Sequence, residues 1–378
     1  LHGHNPDQHI VAGQQLNDQQ VRQYRRRNGK VTFEDVEFFP FFFLSDPSLL
    51  SDFKKKYWLK ELAGRNYYNH LAVFTRWNDM WDAVRSALEL HSQNSGKRID
   101  SYAGADVLLL RPDPISQFLM QSGITLFKDM AFADIHRIQI SIATYAPKGK
   151  KSDPRKTEDR VLAVGLSDNL GWEEVLDGRR LDEPSLLRSL VAIILERDPD
   201  ILEGHNLFGR DLPYLMNRFA LHEIDFGIGR DGSEPKMLPG RWTGPEGDAE
   251  SGTYDLAGRH LVDTLFQTET YDFSKRSLET FDLHVLARHF GFESPDRQVM
   301  SPHMVSRVWD DNPQAIIEHI RQNLRDIRLL SDHLSPSSFY LAQMVPLSYG
   351  SIVRTGSAIK IESLLLREYL RQKHSIPK

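Results

Sequence analysis

The chain has 378 residues, 40% hydrophobic and 26% charged, enough for a sizeable core and for two domains. A formal net charge of -5 provides no global field to hold it on a polyanion, so nucleic-acid binding has to use local patches: Arg25 to Arg27, Lys54 to Lys56, and Lys148 to Lys156. Taken singly, each of these reads as solvated surface. The absence of cysteine excludes a disulfide framework and a thiolate zinc site. No apolar run reaches membrane length and no signal peptide is visible, so the expectation is a cytoplasmic protein without a membrane partner, nucleoid-associated if prokaryotic.

Residues 1–130 read as a first, mixed α+β unit. Asn28-Gly29 between Val21–Tyr24 and Val31–Phe33 is a hairpin signal. Phe38 to Leu44 reads as a buried strand interrupted by Pro40, Trp58, Trp77 and Trp81 read as packing residues, and residues 104–115 suggest one more strand. Residues 131–335 alternate strands and helices, which argues α/β. Ile138–Tyr145, Val161–Leu166 and Trp172–Val175 form a meander, with a polar loop at 147–159 and a turn at Ser167-Asp168-Asn169. Leu186 through Leu195 gives a helical stripe with Pro184 in its first turn. A short strand, Asp200–Glu203, precedes a helix marked by Leu212, Leu215, Met216 and Phe219. Residues 228–253 read as a surface insertion, Arg276–Phe290 and Pro313–Leu334 as helices, and 336–378 as a last helical segment. Three meander strands followed by helix, strand and helix is the order of a ribonuclease H-like fold, a mixed sheet flanked by helices.

Within that order, four stretches resemble the motifs of one family. Leu126 to Tyr145 is similar to the entry into a first exonuclease motif. Ile201-Leu202-Glu203-Gly204-His205-Asn206-Leu207-Phe208-Gly209-Arg210-Asp211-Leu212-Pro213-Tyr214-Leu215 resembles a second. Tyr271 to Gly291 resembles the segment that follows, and Gln322-Asn323-Leu324-Arg325-Asp326 falls where a third motif would. Together they resemble the N-terminal and 3′–5′ exonuclease domains of family B DNA polymerases, with Arg354 to Tyr369 similar to the exit toward a palm domain. No palm motif follows, and the chain starts at Leu1, so the expectation is the front half of a polymerase, either cut from a longer protein or free-standing.

The resemblance implies hydrolysis of a phosphodiester by two Mg²⁺ or Mn²⁺ ions about 3.5–4 Å apart, held by carboxylates because hard cations need oxygen ligands. The first motif supplies an Asp and a Glu two residues apart, hence on one face of a strand. Here those positions hold Ser141 and Ala143. Asp211 stands at the second-motif acid and Asp326 at the third, as the remaining candidate metal ligands, while Gln322 replaces the third-motif Tyr and Arg210 replaces an aromatic residue. Two ions bring four positive charges against two carboxylates, so the expectation is an inactive exonuclease domain with no cofactor. Read without the resemblance, Asp211 is a helix N-cap, and Asp326 and His319 lie on a solvated helix face. The cleft implied by the family would bind single-stranded or primer-template DNA through Asn206, Phe208, Arg210, Tyr271, Lys275 and Arg276. Arg210 would contact either a phosphate or Asp211. Two alternatives stay open: an active metal-dependent exonuclease using the remaining acids, and a non-catalytic scaffold that binds a protein, such as a polymerase catalytic subunit.

Overall fold

The computed structural model describes every residue except 1, 100, 148–149, 243–250 and 274. The chain forms two compact units, residues 1–129 with 340–378, and residues 130–339.

In the first unit, β1 (Ile10–Gln15), β2 (Gln20–Arg27) and β3 (Lys30–Glu37) form an antiparallel sheet in that order. Asn28 and Gly29 join β2 to β3 with φ of 50° and 76°. Both central residues lie in the left-handed region, which matches the strand twist and suits Asn-Gly. A second sheet has the order β5 (Trp58–Glu61), β6 (His70–Val73), β4 (Phe41–Leu44), β7 (Leu108–Leu109). Strand β4 begins just after Pro40, whose missing N–H would interrupt a ladder. Phe42 stacks on Phe74 over α1 (Trp77–Ser95), where Trp77 and Trp81 pack, whereas Trp58 is exposed on the edge strand β5. The strand expected over 104–115 is only two residues long, and Pro114 instead opens α2 (Pro114–Ser122), capped by Asp113.

The second unit is built on one five-stranded sheet. Strands β8 (Arg137–Thr144), β9 (Val161–Asp168) and β10 (Glu173–Asp177) form the expected antiparallel meander. Helix α3 (Glu183–Arg197), capped by Asp182 with Pro184 at its start, crosses to β11 (Ile201–Gly204), which pairs parallel to β8. Helix α4 (Leu212–Leu221) follows. A hairpin of β12 (Lys236–Trp242) and β13 (Ser251–Asp255) falls in the expected insertion, whose residues 243–250 lie outside the described chain. Strand β14 (His260–Asp263) then pairs parallel to β11. The sheet order is β10-β9-β8-β11-β14, so β8 is central. Its residues from Arg137 to Ala143 are all buried, which explains a continuous apolar run rather than an alternating one.

The helices after β14 depart from expectation. Helix α5 (Thr264–Asp272) is followed by an irregular segment, so α6 covers only Leu283–His289 instead of beginning at Arg276. The Asp272 carboxylate accepts the backbone N–H groups of Ser277 and Leu278 and the Ser277 hydroxyl, and Arg276 has φ of 48°. That side-chain cap holds a turn where periodicity suggests a helix. Helix α7 (Val305–Asp311) precedes α8 (Pro313–Ala342), which runs through Pro336 rather than stopping at Leu334. Ser331 and Ser335 fasten this part of α8 through side-chain hydrogen bonds to Glu203 and Gln267. The remaining helices, α9 (Tyr349–Arg354) and α10 (Ser357–Gln372), belong to the first unit. The chain then returns to pair at Ala63 with His374 and at Tyr68 with Ile376.

Two contacts set the position of α8 on the sheet. Gly165 of β9 pairs opposite Ser141 of β8. A Cβ at Gly165 would sit 2.1 Å from Ile320 Cγ2 and 2.9 Å from Leu324 Cδ1, so α8 approaches the sheet at bare backbone. Nearer the other end of β8, Glu203 is fully buried and accepts from Arg137 Nη1 at 3.2 Å, Gln139 Nε2 at 2.8 Å and Ser331 Oγ at 2.6 Å. This ties β8, β11 and α8 through one carboxylate. Glu203→Ala leaves the buried Arg137 without that partner, and we expect a loss of about 3–5 kcal/mol of stability, measured by urea denaturation. Gly165→Ala is expected to destabilise by about 1–3 kcal/mol by forcing α8 off the sheet.

Candidate functional site

The site lies where α8 crosses the middle of β8. Ser141 is buried, and its hydroxyl accepts from Asn323 Nδ2 at 3.3 Å. Ala143, two residues along, is packed among Trp309, Ile316 and Ile320. The side chain that α8 presents to Ser141 is therefore Asn323, not Gln322 or Asp326. Gln322 turns the other way: it bonds the backbone of Gln298 at 3.2 Å and Asp296 at 3.0 Å. His319, one turn before Asn323, places Nε2 3.4 Å from its amide. Sequence inspection aligned the third motif on Gln322 and Asp326, but the same four-residue spacing is present in His319 and Asn323, and packing at Gly165 selects that pair to face the strand.

Asp326 does not lie on a solvated face, which corrects the helical-periodicity reading. It is 1% exposed because the loop after α6 folds over it and delivers Arg297. Arg297 Nε stands 3.5 Å from Asp326, and its Nη2 donates to Asn323 Oδ1 at 2.7 Å. Burial pushes the Asp326 carboxyl up to about 6 despite the neighbouring guanidinium, and burial pushes His319 down to about 4.

The second motif is held by a residue outside it. Strand β11 ends in a π-helical turn, Leu207–Asp211, entered by Asn206 at φ of 58°. The Asp263 carboxylate, at the end of the adjacent β14, accepts the backbone N–H groups of Asn206 at 2.9 Å, Phe208 at 2.8 Å and Leu265 at 3.0 Å. Burial still raises it to about 6. His205 reaches the Phe281 carbonyl at 2.8 Å, which fixes the segment after Arg276 against this turn. Asp211 is not the side-chain N-cap that sequence suggested: it makes no capping hydrogen bond. The π-helical turn brings its carboxylate to β8, where burial raises its pKa while the Ile142 N–H, between Ser141 and Ala143, favours the charged form. Arg210 Nε donates to Asp211 at 2.6 Å. Asp211 is buried whereas the Arg210 side chain is 51% exposed.

The other expected DNA-binding residues are not all gathered here. Phe208 is buried in the core against Tyr254, with ring centres 6.0 Å apart, so its ring is not a base-stacking surface as expected. Lys275 covers the Tyr271 ring at 3.8 Å and donates to its hydroxyl at 2.6 Å, and Tyr271 packs edge-on against Phe290. Among the described residues, no hydrogen bond or ion pair links Tyr271, Lys275 or Arg276 to Ser141, Asp211 or Asp326. Phe273 beside them is 81% exposed, an aromatic surface that sequence inspection passed over.

Mg²⁺ or Mn²⁺, implied by the resemblance, does not fit this donor set. The two strand positions offer a hydroxyl and a methyl, Asn323 offers an amide, and the two acids are each engaged by an arginine. Among the described residues, no group of three or more His, Asp and Glu side chains converges as a metal would require.

A central strand paired antiparallel on one side and parallel on the other, with helices carrying the motif residues, defines a ribonuclease H-like exonuclease fold. The comparisons narrow this further. No family model matches the chain. DNA polymerase 2 of Aeropyrum pernix is 24% identical over 61% of this chain and 27% of its own length. The DNA polymerase of Archaeoglobus fulgidus is 26% identical over 57% and 25%, and DNA polymerase 3 of Saccharolobus solfataricus 26% over 65% and 30%. The solved family B DNA polymerase from Pyrobaculum calidifontis superposes on 97% of this chain and 50% of that one, with a TM-score of 0.70 and 17% identity. The chain is a homologue of the N-terminal and exonuclease region of family B DNA polymerases. It spans between a quarter and a third of these curated relatives' lengths. Among the described residues, no helix is long and apolar enough to cross a membrane.

Asp326 supplies a pH test. Its folded value of about 6 lies above the ordinary carboxylate value of 3.8, so the folded state binds the extra proton between those limits. Stability from this group is present at low pH and is lost as pH rises from about 4 through about 6. Relative to Asp326→Asn, the wild type is expected to lose on the order of 2–3 kcal/mol across that window, followed by urea denaturation at each pH.

Proposed function

We propose that this chain is a nucleic-acid-binding module of a family B DNA polymerase whose exonuclease domain holds a strand without cleaving it. The reading rests on one observation: the two acids offered by the sequence as metal ligands are engaged by guanidinium groups, Arg210 on Asp211 and Arg297 on Asp326, while α8 presents the Asn323 amide to Ser141. A two-metal reaction needs those carboxylates free to bind cations and needs further carboxylates where Ser141 and Ala143 stand. Binding has no such requirement, since it needs cationic groups along a backbone and apolar faces for bases. Arg210 is accessible, and Lys275, Arg276, Tyr271 and the exposed Phe273 follow one another on a short segment. Asn206 supplies a polar edge at the turn. The partner is single-stranded or primer-template DNA, within the polymerase from which such a region derives or beside it.

Incubation with end-labelled single-stranded DNA and Mg²⁺ or Mn²⁺ is expected to give no ladder, while fluorescence anisotropy shows binding that weakens as salt rises. A ladder that disappears in Asp211→Ala would defeat the proposal. Ser141→Asp combined with Ala143→Glu is expected to stay inactive, because Arg297 and Asn323 still face the restored acids. Cleavage by that double variant alone would show that the arginines are no obstacle.

A further inference from the structure

Resting on that reading, we propose that Arg210, Arg297 and His319 form a phosphodiester-binding site that works without a metal, in the place where a carboxylate cluster would otherwise hold two. Three observations converge. The groups surround adjacent residues of one strand: Asn323, bonded to Ser141, holds Arg297 at 2.7 Å and His319 at 3.4 Å, while Asp211 on the Ile142 N–H holds Arg210 at 2.6 Å. Their sign is inverted outward. The buried member of the Asp211–Arg210 pair is the anion, and the half-exposed member is the cation, so a strand approaching the site meets the guanidinium first. Donors are also left over. Arg297, with a side chain 4% exposed, has no hydrogen-bond acceptor for Nη1, and its Nε has only the Asp326 carboxylate at 3.5 Å. A buried donor without an acceptor is unfavourable, and an anionic oxygen at the site supplies the missing acceptor.

The assignment of roles follows from exposure. Arg210 makes the direct contact, as a planar fork suited to a phosphate. Arg297 stands behind it, carried in by the loop that Gln322 clamps at Asp296 and Gln298, and supplies positive charge that cannot be washed out by a chelator. Ser141 and Ala143 fit the same chemistry: an Asp and a Glu there would repel the phosphate unless cations were present.

The test uses the whole chain and a fluorescent oligothymidylate at low salt, read by anisotropy in EDTA and in Mg²⁺. Wild type is expected to bind equally in both. Arg210→Gln, whose amide can still donate to Asp211, is expected to weaken binding about tenfold and to lower the salt slope by about 0.7, with folding checked by circular dichroism. Asp211→Asn keeps an acceptor for the Ile142 N–H but releases Arg210, so it is expected to tighten binding several-fold, the opposite of what losing a metal ligand would do. Binding that requires Mg²⁺, or an Asp211→Asn variant that binds more weakly, overturns the site. Arg210→Gln binding like wild type overturns it too, while leaving the broader nucleic-acid reading in place. A wild type that does not bind at all overturns both.

Discussion

The approach of α8 to the sheet at Gly165 is the contact on which the rest of the second unit depends. Ile320 and Leu324 occupy the space that any side chain at that position would need, and Ser141 is its cross-strand partner. Residue 323 consequently meets residue 141, and residue 319 lies one turn behind. The identity of the site residues is thus set by a steric gap one strand away, not by the helix sequence itself. Asp263 plays the corresponding part for the second motif: one carboxylate gathers three backbone N–H groups and turns Asp211 toward the strand.

Much of this was legible in the sequence, and the parts that were not share a cause. The meander, the α3 stripe with Asp182 and Pro184, and β11 were visible because burial periodicity and capping are local properties. The segment 276–282 reads as helix by pattern, yet Asp272 spends its carboxylate on a turn there, a choice made by one side chain. Asp326 looked solvated because helix periodicity knows only its own helix, and the loop that covers it arrives from elsewhere in the chain. Arg297 was invisible for the same reason. Phe208 was placed in a cleft by likeness of motif, whereas its neighbour Tyr254 on the β12–β13 hairpin draws it into the core.

Charge explains why the scaffold tolerates these changes. Carboxylates clustered around a strand repel one another unless cationic groups neutralise them. Around β8 a hydroxyl, a methyl and an amide stand at Ser141, Ala143 and Asn323, and Arg210 and Arg297 pair with Asp211 and Asp326. Buried ion pairs of this kind add little net stability, but breaking one leaves a charge that the interior cannot solvate. An acid placed at Ser141 or Ala143 alone therefore runs against the packing around it.

The return of the chain to the first unit has a consequence for how the protein is made. His374 and Ile376 complete pairings with Ala63 and Tyr68, and Asn66 bonds Ser375 through both its backbone N–H and its side chain. The first unit is thus written in two pieces, with the whole second unit between them. A ribosome delivers residues 1–129, then the continuous stretch 130–339, and only afterwards the tail whose residues pair with the first piece. The first unit is completed only after the second has been made, and the Ala63 and Tyr68 pairings wait until residues 374–376 are delivered.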